Sequence, residues 1–99
     1  MTYAPPGQET AIAGDGLELS VVMPCLDEAD TLEACITKAR VCLDREGIVG
    51  EIIVADNGSS DDSVEIAKRC GARVVVAEQR GYGQALMAGI AAAGGKFII

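Results

Sequence analysis

The feature that most constrains this chain is the regular alternation of short, unbroken apolar runs with helix-period segments. Four runs, LELSVVM (17–23), EIIVA (51–55), ARVVVA (72–77) and KFII (96–99), each have the length and character of a buried strand. Such runs lack the polar alternation of a strand with one wet face, so both faces of the sheet must be covered. Between the first two runs, Leu32, Cys35, Ile36, Ala39, Cys42 and Leu43 recur at intervals of three and four, marking the apolar face of a helix over residues 30–46. Asp30 followed by Glu33 has the form of a capping box, and Gly47 is a natural stop. A second helix follows the turn Asp56-Asn57-Gly58-Ser59. Ser59 or Ser60 is its expected cap, Asp61 and Asp62 fall in its first turn, Val64, Ala67 and Cys70 face inward, and Gly71 ends it. A third begins beyond the loop 78–83, with a largely small-residue surface of Ala85, Leu86, Ala88, Gly89, Ala92 and Ala93, and closes at Gly94-Gly95. Right-handed crossovers then give an α/β, Rossmann-like half-domain: a parallel sheet with strands in spatial order 3-2-1-4. Pro24 cannot extend a ladder and is expected to end the first strand.

Composition narrows the function classes. With 99 residues there is room for one domain, expected over residues 17–99 behind a flexible tail at 1–16. The net charge of −7, from 15 acidic and 8 basic residues, argues against a nucleic-acid partner. The chain has no His and no C-x-x-C pair, which removes the usual Cys/His zinc site. Cys35 and Cys42 share the first helix's apolar stripe and are expected to be buried free thiols in a reducing compartment, the cytoplasm. No secretory leader and no run of 18 apolar residues is visible, so no transmembrane segment is expected.

In an open parallel sheet ligands bind beyond the carboxyl ends of the strands, where three polar or glycine-bearing segments fall: 24–28, 56–60 and 78–83. Asp56 stands at a strand end, able to accept hydrogen bonds from a ribose hydroxyl or a base N–H. Asn57 both donates and accepts and can meet a base edge. Glu28 lies near the first helix, Arg80 offers a planar cation, and Gly81 and Gly83 permit close backbone approach. Other readings stand beside these. Asp27, Glu28 and Asp30 also suit a helix start, Asp56-Asn57-Gly58 is a good turn on composition alone, and Tyr82 reads as a loop anchor rather than a stacking platform. Gly81-x-Gly83 is no dinucleotide fingerprint, since Leu86 occupies the third glycine's place.

Three segments in order carry a resemblance. VVMPCLDEADTL (21–32) resembles the opening of family-2 glycosyltransferases, with Asp27-Glu28 where an Asn-Glu pair usually stands. IIVADNGSSDDS (52–63) is similar to the family's second motif, with Asn57 in place of the commoner Asp, and RGYGQALMAGIAAAGGKFII (80–99) to its third. Arg80-Gly81-Tyr82-Gly83 looks most like the bacterial branch related to dolichyl-phosphate mannosyl- and glucosyltransferases. The resemblance implies a UDP- or GDP-linked sugar donor, a lipid-phosphate acceptor at the cytoplasmic face of the membrane, and Mg2+ or Mn2+ held by an Asp-x-Asp motif. That motif is expected past the strand that begins at Lys96, so no metal ligand and no catalytic base is expected within residues 1–99, and the chain alone is expected to be inactive. The nucleotide-binding residues it implies are Pro24, Glu28, Asp56, Asn57, Arg80 and Gly83. The rival reading is a flavodoxin-like or response-regulator-like binding module without chemistry, or an inert fragment.

Overall fold

The structure is a computed structural model and describes residues 16–99. Apart from Gly16, the expected tail lies outside the described residues. Seven elements follow in order: β1 (Leu19–Cys25), α1 (Ala29–Glu46), β2 (Gly50–Asp56), α2 (Ser63–Arg69), β3 (Arg73–Val76), α3 (Tyr82–Ala92) and β4 (Phe97–Ile98). All pairings are parallel and the strand order is β3-β2-β1-β4. The alternation in sequence therefore gives the α/β architecture it implies.

The two faces of the sheet differ. On one, Leu32, Ile36 and Leu43 of α1 and Ala67 of α2 pack on Cys25, Ile52 and Val54, with Leu19, Val21 and Met23 alongside. Side chains as fully buried as Ile36 and Ile52 each contribute on the order of 1.5–3 kcal/mol. On the other face α3 lies very close. Ala85 packs on Ala55, and a Cβ at Gly89 would sit 2.3 Å from Val22 Cγ1. Small residues on α3 thus set the helix-to-sheet spacing.

Several local expectations are corrected. Cys35 and Cys42 are exposed, although unbridged. The buried stripe of α1 is Leu32, Ile36, Ala39 and Leu43. At about 100° per residue the two cysteines lie about 70–90° to one side of that stripe, beyond the reach of the sheet. Pro24 does not end β1; it pairs with Ala55 inside the ladder, and the strand runs on to Cys25. Val22 N donates to Ile99 O while Cys25 O accepts from Asn57 N, so even-numbered residues of β1 face β4 and odd-numbered ones face β2. The donor that Pro24 lacks would face the β4 side, so the β1–β2 ladder keeps its bonds.

Helix starts also move. α1 begins at Ala29, with Glu28 in the cap position and Asp30 already in the first turn, so there is no capping box at Asp30. α2 begins at Ser63 after Asp62, leaving Ser59, Ser60, Asp61 and Asp62 in the preceding loop. α3 takes in Tyr82 and Gly83, which the sequence places in a loop, and its C-cap is Ala93.

A polar knot closes the amino edge of the sheet. Glu51 accepts from Ser20 Oγ (2.6 Å), Gly94 N (2.7 Å) and the Arg73 guanidinium (3.0 Å), while Ser20 Oγ accepts from Gly95 N (2.8 Å). Arg73 also donates to Ala92 O, an orphan carbonyl at the end of α3. This knot ties the α3–β4 connection to β1 and β2, away from the carboxyl edge.

Candidate nucleotide site

Register brings Cys25, Asp56 and Val76 to the carboxyl edge of three adjacent strands, so the loops that leave them are neighbours. The first two loops are locked together. Asp27, in left-handed backbone (φ 51°), places Oδ1 to accept from Ser60 N (2.7 Å) and Asp61 N (3.3 Å), and its own N–H donates to Ser59 Oγ (2.9 Å). The free N–H groups at the start of α1 find partners across the same junction: Glu28 N donates to Ser63 Oγ (3.0 Å) and Ala29 N to Asp61 Oδ2 (3.1 Å). Side-chain capping of α1 is therefore supplied by Asp61 of the second loop and Ser63 at the start of α2, and not by its own sequence. The bond from Ser63 Oγ, followed by backbone N–H groups, holds the Asp61 carboxyl below its ordinary range.

Asn57 joins the second loop to the third. Its Nδ2 donates to Gln79 O (3.0 Å) and its Oδ1 accepts from Gly81 N (2.9 Å), with the side chain nearly buried. The chain passes Gly81 at φ 122°, a conformation suited to glycine, and enters α3. An aspartate at position 57 could accept from Gly81 but could not donate to Gln79, which gives the departure from the commoner Asp a physical reason.

Asp56 is 4 % exposed. Its Oδ2 accepts from Gly58 N (3.1 Å) and Ser59 N (3.0 Å), which forms the turn. Its Oδ1 is buried and has no hydrogen-bond partner among the described residues. Buried acceptors are rarely left open, and those that are often await a ligand or an ordered water.

Between the first loop and α3 lies a cleft of about 160 Å³, lined by Pro24, Cys25, Leu26, Glu28, Asn57, Tyr82 and Ala85. Of the residues singled out in the sequence, Pro24, Glu28 and Asn57 meet here; Asp56, which precedes Asn57 at the strand end, is buried behind the cleft wall and is not part of the lining. Arg80 and Gly83 are exposed on either side of Tyr82 and are not part of the lining. A Cβ at Gly83 would meet nothing within 4 Å, so the space beside it is open. The lining also takes in Cys25, Leu26, Tyr82 and Ala85, which the sequence does not single out as binding residues; it reads Tyr82 as a loop anchor. The signal for Tyr82 and Ala85 is their i, i+3 spacing on the first turn of α3, which a loop over residues 78–83 conceals. Burial pushes the Cys25 thiol above its ordinary range, so it forms part of the wall and is not a ready nucleophile.

Among the described residues no group of three His, Cys, Asp or Glu side chains is placed to hold a metal ion. Asp27 and Asp61, the acids of the interlocked loops, are engaged with backbone N–H groups and serines. These residues do not fit a divalent cation.

The family model for glycosyl transferase family 2 matches residues 20–99. The chain belongs to this family. Among the relatives of this family-2 chain is the glucosyl-3-phosphoglycerate synthase of Mycolicibacterium paratuberculosis, 39% identical, with the alignment covering 92% of this chain and 30% of the relative. The crystal structure of the Mycobacterium tuberculosis glucosyl-3-phosphoglycerate synthase in complex with Mn2+ and UDP-glucose superposes with a TM-score of 0.71 at 36% identity, over 98% of this chain and 38% of that one. A mannosyl-3-phosphoglycerate synthase from Rubrobacter xylanophilus shares the fold, with a TM-score of 0.76 at 22% identity over 98% of this chain and 36% of that one. The chain thus spans about 30% of the length of the glucosyl-3-phosphoglycerate synthases it matches. No helix among the described residues is long and apolar enough to cross a membrane.

Proposed function

We propose that this chain forms the nucleotide-binding part of a family-2 glycosyltransferase that uses a UDP-linked sugar, with the base and ribose held in the cleft at the carboxyl edge. The observation that carries this reading is the unpartnered, buried Oδ1 of Asp56 at a strand end. A carboxylate oxygen only accepts, so it selects a ligand edge that presents an N–H or O–H. Uracil and guanine both present such a ring N–H. UDP is preferred because the M. tuberculosis relative was crystallised with UDP-glucose, and with UDP and glucosyl-3-phosphoglycerate. Glu28, exposed at the cleft mouth, is the group for a ribose hydroxyl, and Pro24 forms part of the wall. Asn57, with its amide already engaged at both ends, acts by holding the third loop in place. Arg80 and Gly83, exposed and outside the lining, are the groups proposed to meet the diphosphate.

The remaining chemistry is proposed for the longer enzyme. A divalent metal, Mg2+ or Mn2+, would neutralise charge on the leaving diphosphate; the M. tuberculosis relative was crystallised with Mn2+ and UDP-glucose, and with Mn2+, UDP and glucosyl-3-phosphoglycerate. The names of these relatives favour a small phosphorylated acid such as 3-phosphoglycerate as acceptor. A polyprenyl phosphate, the acceptor implied by the dolichyl-phosphate branch, finds no support in the names of these relatives. No residue of this chain is assigned to metal binding or to deprotonating the acceptor.

The test is NMR on isotope-labelled protein titrated with UDP and with GDP, with and without Mn2+-mimicking Mg2+. The expected result is a set of shifts confined to residues 24–28, 56–59 and 81–85, larger for UDP and little changed by Mg2+. Shifts clustered elsewhere, or none at millimolar nucleotide, would remove the reading.

A further inference from the structure

We infer that Tyr82 is the stacking wall of the donor site, so that the first turn of α3 supplies the surface against which the base lies flat. The inference rests on the nucleotide reading above and adds to it the residue that holds the ring. Tyr82 is 73% exposed although it lines the cleft, and its ring and hydroxyl have no hydrogen-bond partner among the described residues. A large aromatic left in solvent at the first position of a helix contributes nothing to the core. The rest of the lining is largely apolar: Pro24, Leu26 (itself 48% exposed), Cys25 and Ala85. Its polar members are Glu28 and Asn57, and the amide of Asn57 is already bonded to Gln79 and Gly81. A ribose phosphate alone would leave this apolar surface wet. A flat heteroaromatic ring with a polar edge covers it and brings that edge toward the strand ends.

The position of Tyr82 is fixed by its neighbours. Gly81 N is held by Asn57 Oδ1, and Gly81 O accepts from Ala85 N (3.0 Å), which closes the first turn of α3. Ala85 is buried against the sheet, and Tyr82 lies one helical turn before it on the same face. The ring therefore stands on a clamped turn, which lowers the ordering cost of stacking. Stacking tolerates any base because every base has a π-face. Tyr82 accordingly supplies affinity, and the acceptor at Asp56 supplies the choice among bases.

The experiment compares the 99-residue chain with its Tyr82→Ala, Tyr82→Phe and Met87→Ala variants. Met87 is an exposed residue of a separate groove between β3 and α3. Each is titrated with UDP, uridine and ribose 5-phosphate, after circular dichroism has shown an unchanged fold. Tyr82→Ala is expected to bind UDP and uridine about tenfold more weakly, whereas Tyr82→Phe stays within about twofold of the parent. Ribose 5-phosphate affinity and the Met87→Ala variant are expected to be unchanged. Uracil H5 and H6 are expected to shift upfield with the parent and Tyr82→Phe, and not with Tyr82→Ala. Unchanged UDP affinity in Tyr82→Ala, or an equal loss for ribose 5-phosphate, would overturn the stacking role. The nucleotide reading survives that outcome if the parent binds UDP and Asp56→Asn does not. A parent that ignores UDP altogether would overturn both.

Discussion

Replacing Asn57 by aspartate changes little in shape but reverses one interaction. The asparagine donates to Gln79 O at 3.0 Å and accepts from Gly81 N at 2.9 Å, in a side chain only 8% exposed. In Asn57→Asp the bond from Gly81 persists and gains charge assistance. The donor to Gln79 is lost, and two acceptor oxygens then face each other in a site with little water. Leaving a buried acceptor unpaired costs about 1–3 kcal/mol, and the stronger bond to Gly81 offsets only part of it, so the expected loss is about 2 kcal/mol at pH 7. The introduced carboxyl faces a carbonyl, which raises its pKa in the folded state above the unfolded value. Protonation restores a donor, so the deficit relative to the parent should shrink as pH falls through that raised value. Urea unfolding of both proteins at several pH values between 7 and 4 measures this difference. A variant as stable as the parent at pH 7, or a deficit that does not change with pH, would refute the reasoning. The loop that carries Tyr82 should also loosen, visible as faster amide exchange at Gly81.

Other expectations follow from the same contacts. Gly89→Ala places a methyl within 2.3 Å of Val22 Cγ1 and should destabilise by about 2 kcal/mol in urea unfolding, although alanine is the better helix former; equal or greater stability would mean that α3 sits further from the sheet. Burial pushes the Glu51 carboxyl up, but the bonds from Ser20, Gly94 and Arg73 and the charge of Arg73 outweigh it and hold the group below its ordinary range. The stability it lends is thus present at neutral pH and lost as pH falls through that depressed value. Glu51→Gln should flatten the acid limb of a stability–pH curve, and an unchanged limb would contradict the knot. Cys35 and Cys42 should react promptly with a thiol reagent in native protein, Cys25 only on unfolding, and all four should titrate in denaturant without reductant; protected helix thiols would contradict the exposed face of α1.

Element order, parallel pairing and strand order were legible because four uninterrupted apolar runs admit few alternatives to a sheet covered on both faces. The details that eluded the sequence are those settled across the chain. Cys35 and Cys42 fit the three-and-four periodicity of α1, but periodicity marks a broad arc and only the sheet's position decides which part is covered. Asp30 looked like a cap, yet Ser63 and Asp61 reach the start of α1 from more than 30 residues away. Pro24 looked like a terminator because the sequence does not tell which side of the strand its missing donor would face. At the site, Asp56 and Glu28 could be picked out from strand ends and motif context. The engagement of Asn57 with the third loop, and the placing of Tyr82 on a helical turn beside the cleft, depend on the packing of three loops whose partners are distant in sequence.

The most direct test of the central claim is a calorimetric titration of UDP into the parent protein and Asp56→Asn. Asparagine keeps one oxygen for the N–H groups of Gly58 and Ser59, so the turn is retained. In place of the open acceptor Oδ1 it sets an N–H group, which would oppose the ring N–H of uracil. The account predicts binding by the parent and an affinity at least about tenfold weaker in the variant, equivalent to about 1.4 kcal/mol or more, with unfolding midpoints that stay close. Equal UDP affinity in the two proteins would contradict it.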